Sequence, residues 1–294
     1  MSRINVLGAA CVDILLLRVE KEKFFSGKYK AETISSAFGG DGLNEAVNLK
    51  RLGCDISFSF IAGNDTCGKQ IRSFLDEEKI TYCEECFRDD IDTYISLVLI
   101  DKKGERAFVG SENGSLRLYD LADVHIDDDC KILSFASLFI SKRFDEDKYE
   151  KLFKSIKDKG IILCVDSSTP KNNEIASQLK YLQYIDYFFC NESEAKALCR
   201  SNDIFECERI LSETGIANLI IKLGEKGCLY KTKIYPPKER IRCLDSTGAG
   251  DAFVSGFIYG LDKGLSIEEC IEHANKCGGK ACEYLGANKW SLDL

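Results

Sequence analysis

The stretch Asp245-Ser246-Thr247-Gly248-Ala249-Gly250-Asp251-Ala252-Phe253 decides how the chain is read. Gly248 and Gly250 carry no Cβ, so the backbone N–H groups around them can approach an anion closely. A nearly all-apolar run follows, Ala252, Phe253, Val254, Phe257, Ile258, Tyr259 and Leu261, with no polar face. That pattern predicts a buried helix, and Gly256 and Gly260, four apart, are expected to let it press on a sheet. A Gly-rich turn opening a buried helix is an anion site, because unpaired N–H groups and the helix dipole point the same way. Asp251 falls in the first turn. There it reads either as a base aimed at a hydroxyl beside donors aimed at a phosphoryl group, or as a favourably placed first-turn carboxylate.

The remainder of the chain alternates apolar strings with amphipathic segments. Residues 4–10 read as a first buried strand, ending near Asp13. Phe38-Gly39-Gly40-Asp41-Gly42-Leu43-Asn44 is a second Gly turn before a helix, marked by Leu43, Ala46, Val47, Leu49 and Leu52 and closed by Gly53. Ile56–Ile61 is a strand, and Asp65 is expected to cap the helix after it. Gly63-Asn64-Asp65-Thr66-Cys67-Gly68-Lys69-Gln70 has the spacing of a phosphate-binding P-loop, but Gln70 supplies no hydroxyl for Mg²⁺, so that reading fails. Thr93–Ile100 and Arg106–Gly110 flank a hairpin turn at Asp101-Lys102-Lys103-Gly104. Strands at Ile132–Phe135, Ile161–Val165, Tyr187–Cys190 and Asn218–Leu223 follow, with a helix near 145–158. Asn191 and Glu194 share one helix face, as a Mg²⁺-organising amide and carboxylate or as a cap with Glu at its third position. Ser266 and Glu269 form a capping box for the last helix, expected to run towards Gly286-Ala287, with Gly278 and Gly279 each weakening it by ~1 kcal/mol. The alternation implies a largely parallel sheet covered on both faces.

Composition narrows the function. At 294 residues one α/β domain is expected. A net charge of −8 with no Lys/Arg run argues against a nucleic-acid partner. No apolar run is long enough for a membrane span, and Asp13 interrupts the N-terminal apolar run, so no signal peptide is read. Fifteen cysteines, odd in number and mostly in apolar strings, suit a reducing cytoplasm. The single CxxC, Cys83 to Cys86, has no second pair to complete a zinc site.

Taken together, Asp245–Phe253 resembles the signature of the ribokinase-like sugar kinases, the phosphofructokinase B type family. Gly39-Gly40 with Asn44 resembles that family's sugar-binding turn, and the order of elements agrees from about residue 4 to 288. The resemblance implies an α/β fold: a ribokinase-like three-layer α/β/α sandwich with a largely parallel central sheet and a small β-sheet lid. Residues 1–294 would form one kinase domain, with lid segments at about 15–36 and 92–111 and a homodimer contact through the lid. It implies transfer of the ATP γ-phosphoryl group to a sugar hydroxyl, with Asp251 as base and the amides of Gly248, Ala249 and Gly250 holding developing charge. Asp13, Gly39, Gly40 and Asn44 would bind the sugar. Asn191, Lys222, Gly224, Gly227 and Asn275 would bind ATP; Glu194 would hold Mg²⁺ through water, and Asp245 and Thr247 match the start of a potassium site. Asp166 is a secondary candidate. Lys222 stands where a small polar residue is usual, and Cys11 where many relatives carry Asn.

Glu112 occupies the position at which kinases of 2-keto-3-deoxy sugar acids place an Arg, so a neutral sugar is expected. A nucleoside kinase and a sugar-acid kinase of the same fold are the alternatives. A non-catalytic sugar sensor would be expected to lack the base, and Asp251 is present. A Rossmann-type dehydrogenase would need GxGxxG after the first strand, which Gly8-Ala9-Ala10 does not supply.

Overall fold

The computed structural model describes residues 3–20, 30–102, 106–170 and 174–293. Residues 21–29 of the first expected lid segment, and Lys103 and Gly104 of the expected hairpin turn, lie outside them. In chain order the elements are β1 (Arg3–Leu7), β2 (Cys11–Leu17), β3 (Thr33–Gly39), α1 (Asp41–Arg51), β4 (Asp55–Ser59), β5 (Ala62–Gly63), α2 (Thr66–Glu77), β6 (Phe87–Arg88), β7 (Ile95–Ile100) and β8 (Arg106–Gly110). There follow β9 (Cys130–Leu138), α3 (Glu146–Asp158), β10 (Ile162–Ser167), β11 (Tyr187–Asn191), α4 (Glu192–Cys199), α5 (Ile204–Ser212), β12 (Asn218–Lys222), β13 (Cys228–Tyr230), β14 (Lys233–Tyr235), α6 (Ala249–Asp262) and α7 (Ile267–Ala281).

The large sheet has the order β14-β13-β12-β11-β10-β9-β1-β4. Its strands are parallel from β12 to β4, with β13 and β14 antiparallel at one edge. Side chains alternate across a strand, and here both faces are apolar. Phe188, Leu219, Ile221, Leu133 and Leu163 pack on the side of α3, α4 and α5. Phe189, Ile220, Ile132 and Cys164 pack on the side of α1, α2, α6 and α7. This is the expected three-layer arrangement.

A second sheet, β3-β2-β7-β8, forms the lid. It holds the expected hairpin strands β7 and β8, paired antiparallel. The first strand ends earlier than residues 4–10 suggested: β1 stops at Leu7, and the chain re-enters a sheet at Cys11 as β2. Asp13 therefore belongs to the lid and does not terminate a strand of the large sheet.

Two further expectations are corrected. Gly256 and Gly260 press α6 against α7 and not against the sheet: a Cβ on Gly256 would lie 2.8 Å from the His273 carbonyl oxygen, and one on Gly260 2.7 Å from Cys270 Sγ. The last helix ends at Ala281, so Gly286 and Ala287 lie beyond it. Its start is as read, with Ser266 Oγ accepting from the Glu269 N–H and the Glu269 carboxylate accepting from the Ser266 N–H. Among the described residues no helix is long and apolar enough to cross a membrane.

Candidate functional site

In a parallel sheet the carboxyl ends of the strands open onto the ligand crevice. Asp166 near the end of β10, Asn191 at the end of β11 and Lys222 at the end of β12 stand at that edge. The first turns of α1 and α6 meet there too. Gly40 is the N-cap of α1 with φ 99°, and Gly248 is the N-cap of α6 with φ 72°. Both are left-handed conformations that suit glycine. A Cβ on Gly248 would also collide with Ala287 Cα at 2.5 Å, so the segment after α7 closes tightly over the turn.

The two turns are joined by side chains. Asn44 Nδ2 donates to Asp251 Oδ2 at 2.7 Å, and Asn44 Oδ1 accepts from Asn288 Nδ2 at 3.3 Å. Asn44 thus gives one of its two amide N–H groups to Asp251. Burial raises the Asp251 carboxyl, while the Asn44 hydrogen bond and the nearby Lys222 ammonium pull it down. Gly250 and Asp251 sit in the first turn, where helical N–H groups have no carbonyl one turn back. The Ala249 N–H instead leans on the Ser246 carbonyl at 3.3 Å.

Asp13 is half-buried, and burial raises its carboxyl against hydrogen bonds from Cys11 and Ser96. Gly39 lies against it, since a Cβ there would be 2.1 Å from Asp13 Oδ2. Asp41, in the first turn of α1, was not singled out by sequence. It accepts from Ser168 Oγ at 3.1 Å, and burial together with Asp251 raises its carboxyl to about 7. Glu45, one turn on, is buried beside Ser134; burial and Asp166 push its carboxyl well up, and Oε1 has no partner. Asp41, Asn44 and Glu45 share one face of α1 by their i, i+3 and i+4 spacing. That spacing is the signal that could have marked them.

Lys222 is the cation among these acids. Its Nζ donates to both oxygens of Asp166, at 2.7 and 2.8 Å. Burial opposes its charge, but Asp166 and Glu194 outweigh that and hold it protonated. Asn191 and Glu194 form a reciprocal cap on α4: Asn191 Oδ1 accepts from the Glu194 N–H at 2.9 Å, and Glu194 Oε2 from the Asn191 N–H at 2.8 Å. The capping alternative is therefore correct for their local geometry, and Glu194 still lies beside Lys222 and Asp251.

Gly224 and Gly227 bracket a short 3-10 turn after β12, closed by the Gly227 N–H on the Gly224 carbonyl at 3.0 Å. Asn275 Nδ2 donates to the Tyr235 carbonyl at 3.0 Å and lines a groove of about 560 Å³ between β14 and α7. Asp245 ties its own turn to the segment after α7: Oδ1 accepts from the Thr247 N–H and hydroxyl at 2.9 and 2.7 Å, and Oδ2 from the Gly286 N–H at 3.0 Å.

On the lid side, the Tyr94 hydroxyl is hydrogen-bonded with Arg117 and feels Cys11 and Asp13. Sequence spacing gave no sign of this pair. Glu112, by contrast, is exposed and ion-paired with Lys142. The thiols of Cys83 and Cys86 lie 3.7 Å apart, and no group of three or more potential ligands gathers to hold a metal among the described residues.

The chain is similar to known proteins in sequence and in fold. The chain is 27% identical over 271 residues to probable fructokinase-5 of Arabidopsis thaliana, covering 85% of this chain and 83% of that protein. It is 26% identical over 286 residues to 2-dehydro-3-deoxygluconokinase of Haemophilus influenzae, covering 89% and 91%. The crystal structure of ribokinase from Thermotoga maritima superposes with a TM-score of 0.79 at 24% identity, covering 99% of this chain and 96% of that one, so the fold is ribokinase-like. The description "pfkB family carbohydrate kinase" matches residues 1–293. With glycine-opened helices, a buried carboxylate between them and a lid sheet above, the chain belongs to the pfkB family of carbohydrate kinases, phosphotransferases that act on hydroxyl groups.

Proposed function

We propose that this sugar kinase transfers the ATP γ-phosphoryl group to a hydroxyl of a small neutral sugar, ribose- or fructose-like. The observation that carries the reading is the Asn44–Asp251 hydrogen bond, which sets the base between the sugar-side turn and the anion-binding turn. Asp251 accepts the proton of the attacking hydroxyl. In a loose phosphoryl-transfer transition state that proton becomes acidic late, so a carboxylate suffices. The amides of Gly248, Ala249 and Gly250 face the developing charge, aided by the dipole of α6. Asp13, Gly39 and Gly40 orient the sugar, and Asn44 orients the base.

ATP lies across the strand ends, its phosphates towards Lys222 and Asn191 and its base beside Gly224, Gly227 and Asn275. Glu194 fits Mg²⁺ bound through water, since the Asn191 N–H takes only one of its oxygens. Mg²⁺ held there would supply positive charge beside the phosphates. Potassium would sit at the turn of Asp245 and Thr247, displacing the hydrogen bonds they make to each other. Ile34 and Phe108, each 66% exposed on the lid, suit a homodimer contact, and free buried cysteines suit the cytoplasm.

The preference for a neutral sugar no longer rests on Glu112, whose charge is met by Lys142. It rests on Asp13 and Asp41, which would repel an anionic acceptor. One observation favours a second reading: Arg117, bonded to Tyr94 near Asp13, could pair with the carboxylate of a 2-keto-3-deoxy sugar acid. A panel of ribose, fructose, 2-keto-3-deoxygluconate, adenosine and inosine with ATP and Mg²⁺, followed by ADP release, tests the assignment. Turnover of a neutral sugar above all others supports it; preference for the acid or a nucleoside overturns it.

A further inference from the structure

Lys222 closes β12 and Asp166 is the last residue but one of β10, on either side of β11. Their side chains are only 13% and 5% exposed, and both Asp166 oxygens are spent on one ammonium. A buried ion pair rarely gains stability over well-packed apolar residues of the same size, so this one needs a reason other than folding. The reason lies above it. A Cβ on Gly250 would stand 3.3 Å from Nζ, which places the ammonium directly beneath the first turn of α6. An ammonium carries three N–H groups, and Asp166 takes two. The side facing Gly250 is covered by no Cβ. A charged donor and a helix amide turn therefore converge on one spot from two directions.

We propose that Lys222 is a catalytic residue whose ammonium contacts the terminal phosphoryl group of ATP, and that Asp166 is the positioning residue that holds it there. The inference rests on the proposed kinase reading of this site. In the transfer, the sugar oxygen forms a bond to the γ-phosphorus as the bond to the bridging oxygen of ADP breaks. The electron pair leaves with ADP and the hydroxyl proton goes to Asp251. Lys222 stays protonated throughout and follows the oxygens of the migrating group. An interaction that is strongest on the phosphoryl group in flight raises turnover more than it tightens binding.

The test uses two variants of the full chain, Lys222→Met alone and Lys222→Met together with Asp166→Leu. The single change strands a buried carboxylate and can unfold the protein; the double change removes both charges and is expected to fold as well as the wild type. Calorimetric affinities for ADP and for the β,γ-imido analogue of ATP are measured with Mg²⁺. The expected result is a loss of about tenfold in analogue affinity with ADP unchanged, and a fall of about 100-fold in turnover of the best sugar at unchanged sugar affinity. A folded double variant that keeps analogue affinity and turnover overturns the proposal, as does a wild-type protein that binds neither nucleotide. If no acceptor in the panel is phosphorylated, the substrate assignment falls, while the ADP-against-analogue comparison still decides the role of Lys222.

Discussion

Asn44 and Asp251 are 207 residues apart in the chain and 2.7 Å apart in space. That bond joins the two glycine-opened helices and fixes the Asp251 carboxylate. Asn44 is itself steadied by Asn288, so the segment beyond α7 takes part in placing the Asp251 side chain.

Removing the amide tests this placement. In Asn44→Ala the hydrogen bond that lowers the Asp251 carboxyl is lost, so burial acts unopposed by it and the carboxyl rises further. The base works ionised, so the acidic limb of the kcat/KM profile moves to higher pH. Turnover at neutral pH falls by about 10–100-fold. A full pH profile reads both; an unmoved limb contradicts the positioning role.

Asp41 makes the unliganded protein less stable at neutral than at acid pH. Its folded carboxyl is raised to about 7 from the ordinary 3.8, chiefly by burial and then by Asp251. For a raised acid, stability is complete below the unfolded value, declines as pH climbs from about 4 to 7, and stays reduced above that. Asp41→Asn removes the decline. The variant should match the wild type at pH 4 and exceed it by about 4 kcal/mol at pH 8, from a shift of about three units at ~1.4 kcal/mol each. Urea unfolding at the two pH values checks this, and a gain equal at both would contradict it.

At Gly256 helix α6 lies close against the backbone of α7. Besides the His273 oxygen, a Cβ there would meet Cys277 Sγ at 2.9 Å and Ala274 Cα at 3.0 Å. Two of these three are backbone atoms and cannot swing aside. Gly256→Ala should lose about 1–3 kcal/mol despite the better helix propensity of alanine. Equilibrium unfolding measures it, and a gain in stability would show that the helices separate freely.

These contacts mark what the sequence could and could not tell. Local features were legible because they depend on neighbours in the chain. The caps at Asp65, Asn191 and Ser266 fall as their spacing required, and the paired apolar residues of β11 and β12 announced a sheet buried on both faces. The family was legible through the long, specific motif at Asp245–Phe253. What stayed hidden depends on topology. No local pattern says that Lys222 reaches Asp166 across β11, that Gly256 faces a helix and not the sheet, or that β1 breaks after Leu7 so that Asp13 enters the lid.

The most direct measurement is turnover by Asp251→Asn with the sugar that gives the fastest ADP release, beside calorimetric affinity for that sugar. Asparagine keeps the shape and can still meet Asn44, but it accepts no proton. A fall of about 10³-fold or more in kcat, with sugar affinity within about threefold, is the predicted result. Turnover near that of the wild type would contradict the assignment of Asp251 as the base.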